Sequence, residues 1–328
     1  MKVVVTGAAG FLGRRLIREL LRRGTLADAT GIEHPIERID AFDVVLPNMP
    51  RDERLTVSRG DITAPDQLAK LITADVTTIF HLAAVVSGQA ERDFDLGMRV
   101  NLDATRLVME RVRIAAPGAR FLTTSSVAVF GGHMPPVVPD TYVWKPQSSY
   151  GTQKAISDLL LADYSRRGYL DGRSLRMPTI VVRPGKPNNA ASSFASGIIR
   201  EPLGGEEAVC PVSTETLLWL MSPDKAIQNM LHACALSAEQ LGADRVINMP
   251  GLSITVAEMI EALRDVGGDA AVRLIRMERD PAVEKIVNSW PGNFTADLAR
   301  RLGFTADNDF RSIIEAYMAD MAGAEPPN

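Results

Sequence analysis

Cysteine, histidine and aromatic residues are what this 328-residue chain has least of: two, four and 5 % respectively. Cys210 and Cys234 stand far apart, with no CxxC or Cys/His spacing, so neither a disulfide framework nor a structural zinc site is expected, and a reduced, cytoplasmic setting fits. His34, His81, His133 and His232 are scattered, and each is expected to be a polar surface or loop residue rather than a ligand. No metal is expected. No apolar run approaches the roughly 18 residues that a spanning helix needs. The apolar segment after Lys2 superficially mimics a secretion signal, but glycines break it at motif spacing. An excess of either charge is missing too, since 36 basic and 40 acidic side chains leave a net charge of −4, which gives nucleic acid no electrostatic footprint. The expected partner is a small-molecule substrate, with neither nucleic acid nor membrane involved.

What remains is 46 % hydrophobic and 23 % charged, an ordinary globular composition with enough length for a large core and about two domains. Lys2–Thr6 reads as a buried β-branched strand, followed by a glycine turn and a helix whose leucines recur at helical spacing. Further strands are expected at 39–45, 55–59, 77–83, 120–125 and 174–182, with helices at 64–72, 99–115 and 151–167 between most of them. Alternating strands and helices predict an α/β fold, a doubly wound parallel sheet of Rossmann type. After Pro184 the rhythm changes, and a smaller α+β C-terminal substrate lobe is expected. A helix at 222–236 and a strand at 245–249 are expected to return to the first sheet, with lobe helices at 255–264 and 310–321 and a frayed tail over 322–328. The expected division is therefore 1–184 plus about 217–250 for the dinucleotide domain, and 185–216 plus 251–328 for the lobe.

Gly7, Gly10 and Gly13 stand in a G-x-x-G-x-x-G spacing between strand and helix, with Phe11 and Leu12 opening the helix. Missing side chains there let backbone N–H groups approach a pyrophosphate at the helix N-terminus. A dinucleotide site also needs an acidic residue after the second strand, about 20 residues on, for the ribose hydroxyls. Glu33 satisfies the count, but it sits beside Gly31, His34 and Pro35 in a poor strand context. Asp43, after Ile39, Ala41 and Phe42, ends a better strand and is preferred, with 26–35 read as an inserted loop. A carboxylate there repels a 2′-phosphate, so NAD is favoured over NADP.

Tyr150 and Lys154 lie four apart at the start of an expected helix and so share a face. An ammonium there can pull a phenol towards a usable pKa, which makes Tyr150 a general base. Ser126, at a strand end, supplies a hydroxyl to orient the reacting oxygen.

Together with Asp61-Ile62, His81-Leu82-Ala83-Ala84, Asn101, Ser125-Ser126 and Tyr150-Gly151-Thr152-Gln153-Lys154, the glycine turn resembles the extended short-chain dehydrogenase/reductase family, also called the NAD-dependent epimerase/dehydratase family. The motifs run in family order through the first half of the chain, with weaker similarity beyond it. The resemblance implies that Tyr150 is the acid/base, that Lys154 tunes it and holds the nicotinamide ribose, that Ser126 fixes the substrate oxygen and that Asn101 supports a proton relay. It further implies Asp61 and Ile62 at the adenine, Leu82, Ala83 and Ala84 along the cofactor channel, Pro178 and Ile180 near the nicotinamide, and a homodimer built on the helices around 101–113 and 151–167.

Within the family, dehydratases carry an acidic pair after the strand-end threonine, where this chain has Ser125 and Ser126 after Thr124. Nucleotide-sugar epimerases need basic residues in the second lobe to clamp a diphosphate, whereas 217–220 is Leu-Leu-Trp-Leu. The stretch 183–202 instead resembles members that oxidise a short sugar acid at C2 with NAD. Arg183 would then pair with the substrate carboxylate, with Ser87, Ser125 and Thr179 as further contacts beside Ser126 and Tyr150. The alternatives at this stage are a nucleotide-sugar 4-epimerase with tightly held NAD and, in another class, a non-catalytic dinucleotide sensor.

Overall fold

The computed structural model describes residues 1–28, 30–46, 48–185 and 190–323. Part of the loop expected after Pro184, Lys186 to Asn189, lies outside the described residues, as do residues 324–328 of the expected frayed tail.

Seven strands form one sheet: β1 (Lys2–Thr6), β2 (Arg38–Asp43), β3 (Leu55–Arg59), β4 (Val76–His81), β5 (Arg120–Ser126), β6 (Asp171–Met177) and β7 (Val246–Asn248). Their order across the sheet is β7-β6-β5-β4-β1-β2-β3, and every pairing is parallel. The chain therefore reverses its direction of travel between β1 and β4, and the carboxyl ends of those strands open a crevice at that switch point.

Strand alternation explains why both faces are covered. Val3 and Val5 join a core with Leu16, Ile17 and Leu20 of α1 (Phe11–Arg23). Val4 faces the opposite way, into a core with Val108, Met109 and Val112 of a helix at Ala104–Ala115. Each fully buried branched side chain of this kind contributes about 1.5–3 kcal/mol of transfer free energy. The expected strand 245–249 does return to this sheet, as β7 beside β6.

Two sequence expectations need correction. The run 174–182 is not one strand: it divides at Pro178, and Thr179–Ile180 leaves the main sheet to pair with Leu217–Met221, because proline cannot donate to a ladder. Leu217–Met221 also pairs with Leu252–Thr255, which makes a three-stranded sheet. The helix expected over 99–115 opens with a π-helical segment, Met98–Asp103, that carries Asn101. A separate core of Phe194, Ile198, Leu218, Met259, Ile313 and Ile314 fills the second lobe. No helix among the described residues is long and apolar enough to cross a membrane.

Candidate active site

At the crevice, the glycine turn is shaped by backbone contacts that no side chain tolerates. Gly7 has φ +72°, and a Cβ there would lie 2.6 Å from the Ala83 nitrogen; a Cβ on Gly13 would lie 2.2 Å from the Gly7 carbonyl oxygen. Gly10 caps α1 with no side-chain hydrogen bond, and the first turn holds no acidic residue. The leading N–H groups of α1 therefore keep free donor capacity at a positive dipole end, which fits the pyrophosphate of a dinucleotide.

Asp43 ends β2, the strand beside β1. Its carboxylate accepts hydrogen bonds from the backbone nitrogens of Ala9 at 2.9 Å and Val45 at 3.1 Å, which ties it to the turn. Glu33 stands exposed in a small hairpin of Thr25–Ala27 with Glu33–Pro35. Asp61 follows β3 and accepts from the Thr63 nitrogen, and Ile62 is buried in the core under that end of the sheet. This places the Asp43 and Asp61 pair on the β2–β3 side of the turn, away from Tyr150.

One cleft of about 410 Å³ brings together Gly7, Gly10, Phe11, Leu12 and Gly13 with Ser126, Tyr150, Lys154, Thr179 and Arg183. Leu82, Ala84, Ser87, Pro178 and Ile180 line it as well, while Ala83 packs its backbone against Gly7. Ser125 also borders the cleft, but its hydroxyl donates to the buried Asp158 carboxylate at 2.9 Å. Asn101 lies behind the site. Its side chain accepts from the Val85 nitrogen at 2.9 Å and donates to the Gln153 side-chain oxygen at 2.8 Å, which fixes the segment after β4 against the helix α2 (Ser149–Arg166) that carries Tyr150.

That helix starts where it does because the Ser148 hydroxyl caps the Gly151 nitrogen. Its first two turns put Tyr150 and Lys154 on one face. The Lys154 ammonium donates to the Thr124 carbonyl at 2.8 Å and lies 5.7 Å from the Tyr150 ring centre. Burial pushes the Tyr150 phenol up to about 12, against the opposing pull of the Arg183 charge and the Ser126 hydroxyl. Burial also lowers Lys154 to about 8, partly offset by Asp158. In the free protein, then, the groups that draw the phenol downward are Arg183 and Ser126; the lysine, expected from spacing to do so, directs its ammonium at a strand carbonyl.

Sequence reading missed several residues here. Asp158 lies one helical turn beyond Lys154, and the same four-residue spacing that singled out Lys154 points to it. Trp290 enters the cleft from the second lobe, across a sequence separation no local pattern bridges. His81, expected at the surface, is buried: its ring is held between the Thr6 and Thr105 hydroxyls at 2.8 and 3.0 Å, and burial depresses its pKa to about 3.

Residues 3–220 match the NAD dependent epimerase/dehydratase family. The chain is 56 % identical to D-erythronate dehydrogenase of Cupriavidus necator, over 98 % of both proteins. It is 45 % identical to D-erythronate dehydrogenase of Haemophilus influenzae, over 97 % of this chain and 99 % of that one. A crystal structure described as the nucleoside-diphosphate-sugar epimerase from Agrobacterium tumefaciens superposes with a TM-score of 0.93 at 44 % identity, covering 99 % of this chain and 95 % of that one. The parallel seven-stranded sheet agrees with these matches, and the chain belongs to the NAD-dependent epimerase/dehydratase family.

Proposed function

We propose that the protein is a cytoplasmic, homodimeric dehydrogenase that oxidises the C2 hydroxyl of a short sugar acid, D-erythronate foremost, to the 2-keto acid with NAD. The two relatives named for that activity, each matched over nearly the whole chain, support the substrate. The observation that carries the reading is the charge of the cleft. Among its described lining residues Arg183 and Lys154 are the only basic ones, and Lys154 is engaged by Thr124. The Arg183 guanidinium, whose Nε donates to the Ile180 carbonyl at 3.0 Å, supplies one positive charge to match one carboxylate.

The backbone of Gly7, Gly10, Phe11, Leu12 and Gly13 would hold the NAD pyrophosphate, Asp43 the adenosine ribose, Asp61 and Ile62 the adenine, and Leu82, Ala83, Ala84, Asn101, Tyr150, Lys154, Pro178 and Ile180 the nicotinamide half. When bound, NAD supplies the acceptor for the C2 hydride. Tyr150 takes the C2 hydroxyl proton, Ser126 donates to the developing carbonyl oxygen, and Arg183 anchors the carboxylate, with Ser87, Ser125 and Thr179 bordering the acid. Because the free phenol sits near 12, Tyr150 is protonated at neutral pH, which suits it equally to protonate an alkoxide in the reverse direction. A homodimer is supported by Ile156 and Leu159, which stay exposed on the outer face of α2, whereas Val108 and Met109 are spent in the protomer core.

A second reading, nucleotide-sugar epimerisation, draws on the Agrobacterium structure. The two separate in one assay: purified protein with NAD and a panel of four-carbon sugar acids, followed by NADH absorbance, beside a Tyr150→Phe control. NADH formation that vanishes in the control supports the dehydrogenase. No NADH with any acid, together with NAD that stays on the protein through gel filtration and interconversion of nucleotide sugars, overturns it.

A further inference from the structure

Behind the Tyr150 and Lys154 pair lies a buried ionic relay. Asp158, 1 % exposed, accepts from the Ser125 hydroxyl at 2.9 Å, the Ser174 hydroxyl at 2.5 Å and the Arg176 guanidinium at 3.0 Å. Arg176 is itself 2 % exposed; its guanidinium lies 3.8 Å from the Trp144 ring centre and donates to the Asn248 side-chain oxygen at 3.3 Å. Asn248 donates in turn to Asp140 at 3.0 Å, and Asp140 accepts from the Leu298 nitrogen at 2.8 Å. Through Ser125 this carboxylate reaches the strand end that carries the acid–base groups. Ser125 is the residue between Thr124, whose carbonyl holds Lys154, and Ser126. Lys154 itself is one turn away from Asp158 on the same helix face.

We propose that Asp158 is a positioning residue for Lys154, the buried counter-charge that keeps its ammonium protonated while locking the strand end that presents Ser126. Among the groups that bear on Lys154, Asp158 supplies the negative charge, across one helical turn and without a direct ion pair, since its carboxylate is bonded to Arg176. From β5 the ammonium meets the Thr124 carbonyl, and from β4 the neutral His81 ring. From α2 itself come Tyr150 and Asp158. Arg183 bears on Tyr150, and Arg176 is turned to Asp158. A lone ammonium in so buried a place would shed its proton; the carboxylate opposes that. Asp158 likewise bears on the Tyr150 phenol, in the direction that disfavours its charge. Removing the carboxylate therefore moves both titrations to lower pH, a signature that a purely structural residue does not give.

This inference rests on the acid–base reading of Tyr150 and Lys154, but its primary test needs neither substrate nor NAD. Competitive labelling of the full-length protein with acetic anhydride, read by mass spectrometry across pH, reports the Lys154 titration directly. In Asp158→Asn the midpoint is expected to fall by about one pH unit, roughly tenfold in proton affinity, and in Asp158→Glu to stay at the wild-type position. Because Asp158→Asn strands the buried Arg176 charge, the pair Asp158→Asn with Arg176→Gln is made beside it. That pair buries no unpaired ion and is expected to show the same fall. The pH profile of oxidation should be displaced to lower pH in the same variants. A Lys154 midpoint that is unchanged in either folded variant overturns the proposal, whereas activity that survives Tyr150→Phe overturns the acid–base reading instead.

Discussion

Gly13→Ala is the smallest change that tests how the cofactor turn is built. The new methyl carbon would sit 2.2 Å from the Gly7 carbonyl oxygen, 2.9 Å from the Ala8 Cα and 3.0 Å from the Gly7 carbonyl carbon. All three are backbone atoms, so no rotamer change relieves the clash. Restoring ordinary contact requires α1 to withdraw from the turn by about 1 Å, and overpacking of this kind costs about 1–3 kcal/mol. For a chain of this size that corresponds to a fall in melting temperature of about 1.5–4.5 °C. The withdrawal also pulls the leading N–H groups of α1 off the line on which a pyrophosphate would lie, so NAD affinity should weaken by at least about tenfold, or 1.4 kcal/mol. Thermal melting and isothermal titration with NAD measure the two effects. Gly197→Ala is the control: it lies in a helix, and the nearest atoms its Cβ would meet are those of the Glu201 carboxylate, from 3.5 Å, an ordinary contact, so stability should hold or rise by about 0.4–1 kcal/mol. A Gly13→Ala protein that melts and binds NAD like the wild type would refute the argument that this contact shapes the site.

Arg183→Gln should raise the KM for the acid by about tenfold or more while NAD affinity stays within about twofold, because it removes the charge opposite the carboxylate and leaves the glycine turn intact; an unchanged KM would remove Arg183 from the substrate site. Oxidation needs Tyr150 deprotonated and Lys154 protonated. With the phenol near 12 and the lysine near 8, kcat/KM measured at low NAD should climb about tenfold per pH unit up to about pH 8 and level off above it. A profile falling with pH would contradict those directions. Asp43→Ser should narrow the preference for NAD over NADP by about tenfold, measured as the ratio of kcat/KM values, because the carboxylate that repels a 2′-phosphate is gone; Glu33→Ser should leave that ratio unchanged.

The parts of this protein legible in its sequence are those set by local chemistry. Lys2–Thr6 is readable because a β-branched run before a glycine turn has one stable use, and the four-residue spacing of Tyr150 and Lys154 is a property of the helix itself. Asp43 could be preferred over Glu33 on strand context alone, and the structure puts the first at the end of β2 and the second on an exposed hairpin. What could not be read depends on partners distant in the chain. Pro178 marks a break in 174–182, but that Thr179–Ile180 then crosses to Leu217–Met221 is decided by a strand some forty residues later. The π-helical segment at Asn101 has the same helical periodicity as its continuation, so no pattern announces it. His81 looks like a surface residue until Thr6 and Thr105 are brought to its two ring nitrogens. Arg176 and Asp158 read as ordinary charges on a strand and a helix, and only the packing of α2 on β6 joins them out of water.

The central claim is that this cleft takes hydride from C2 of D-erythronate. Turnover of D-erythronate carrying deuterium at C2, with NAD in excess and mass analysis of the reduced cofactor, addresses it without inference from rates. The account predicts that the NADH formed carries the deuterium and that its formation is abolished in Tyr150→Phe. Unlabelled NADH would place the oxidation at another carbon, and no reduced cofactor at all would contradict the claim outright.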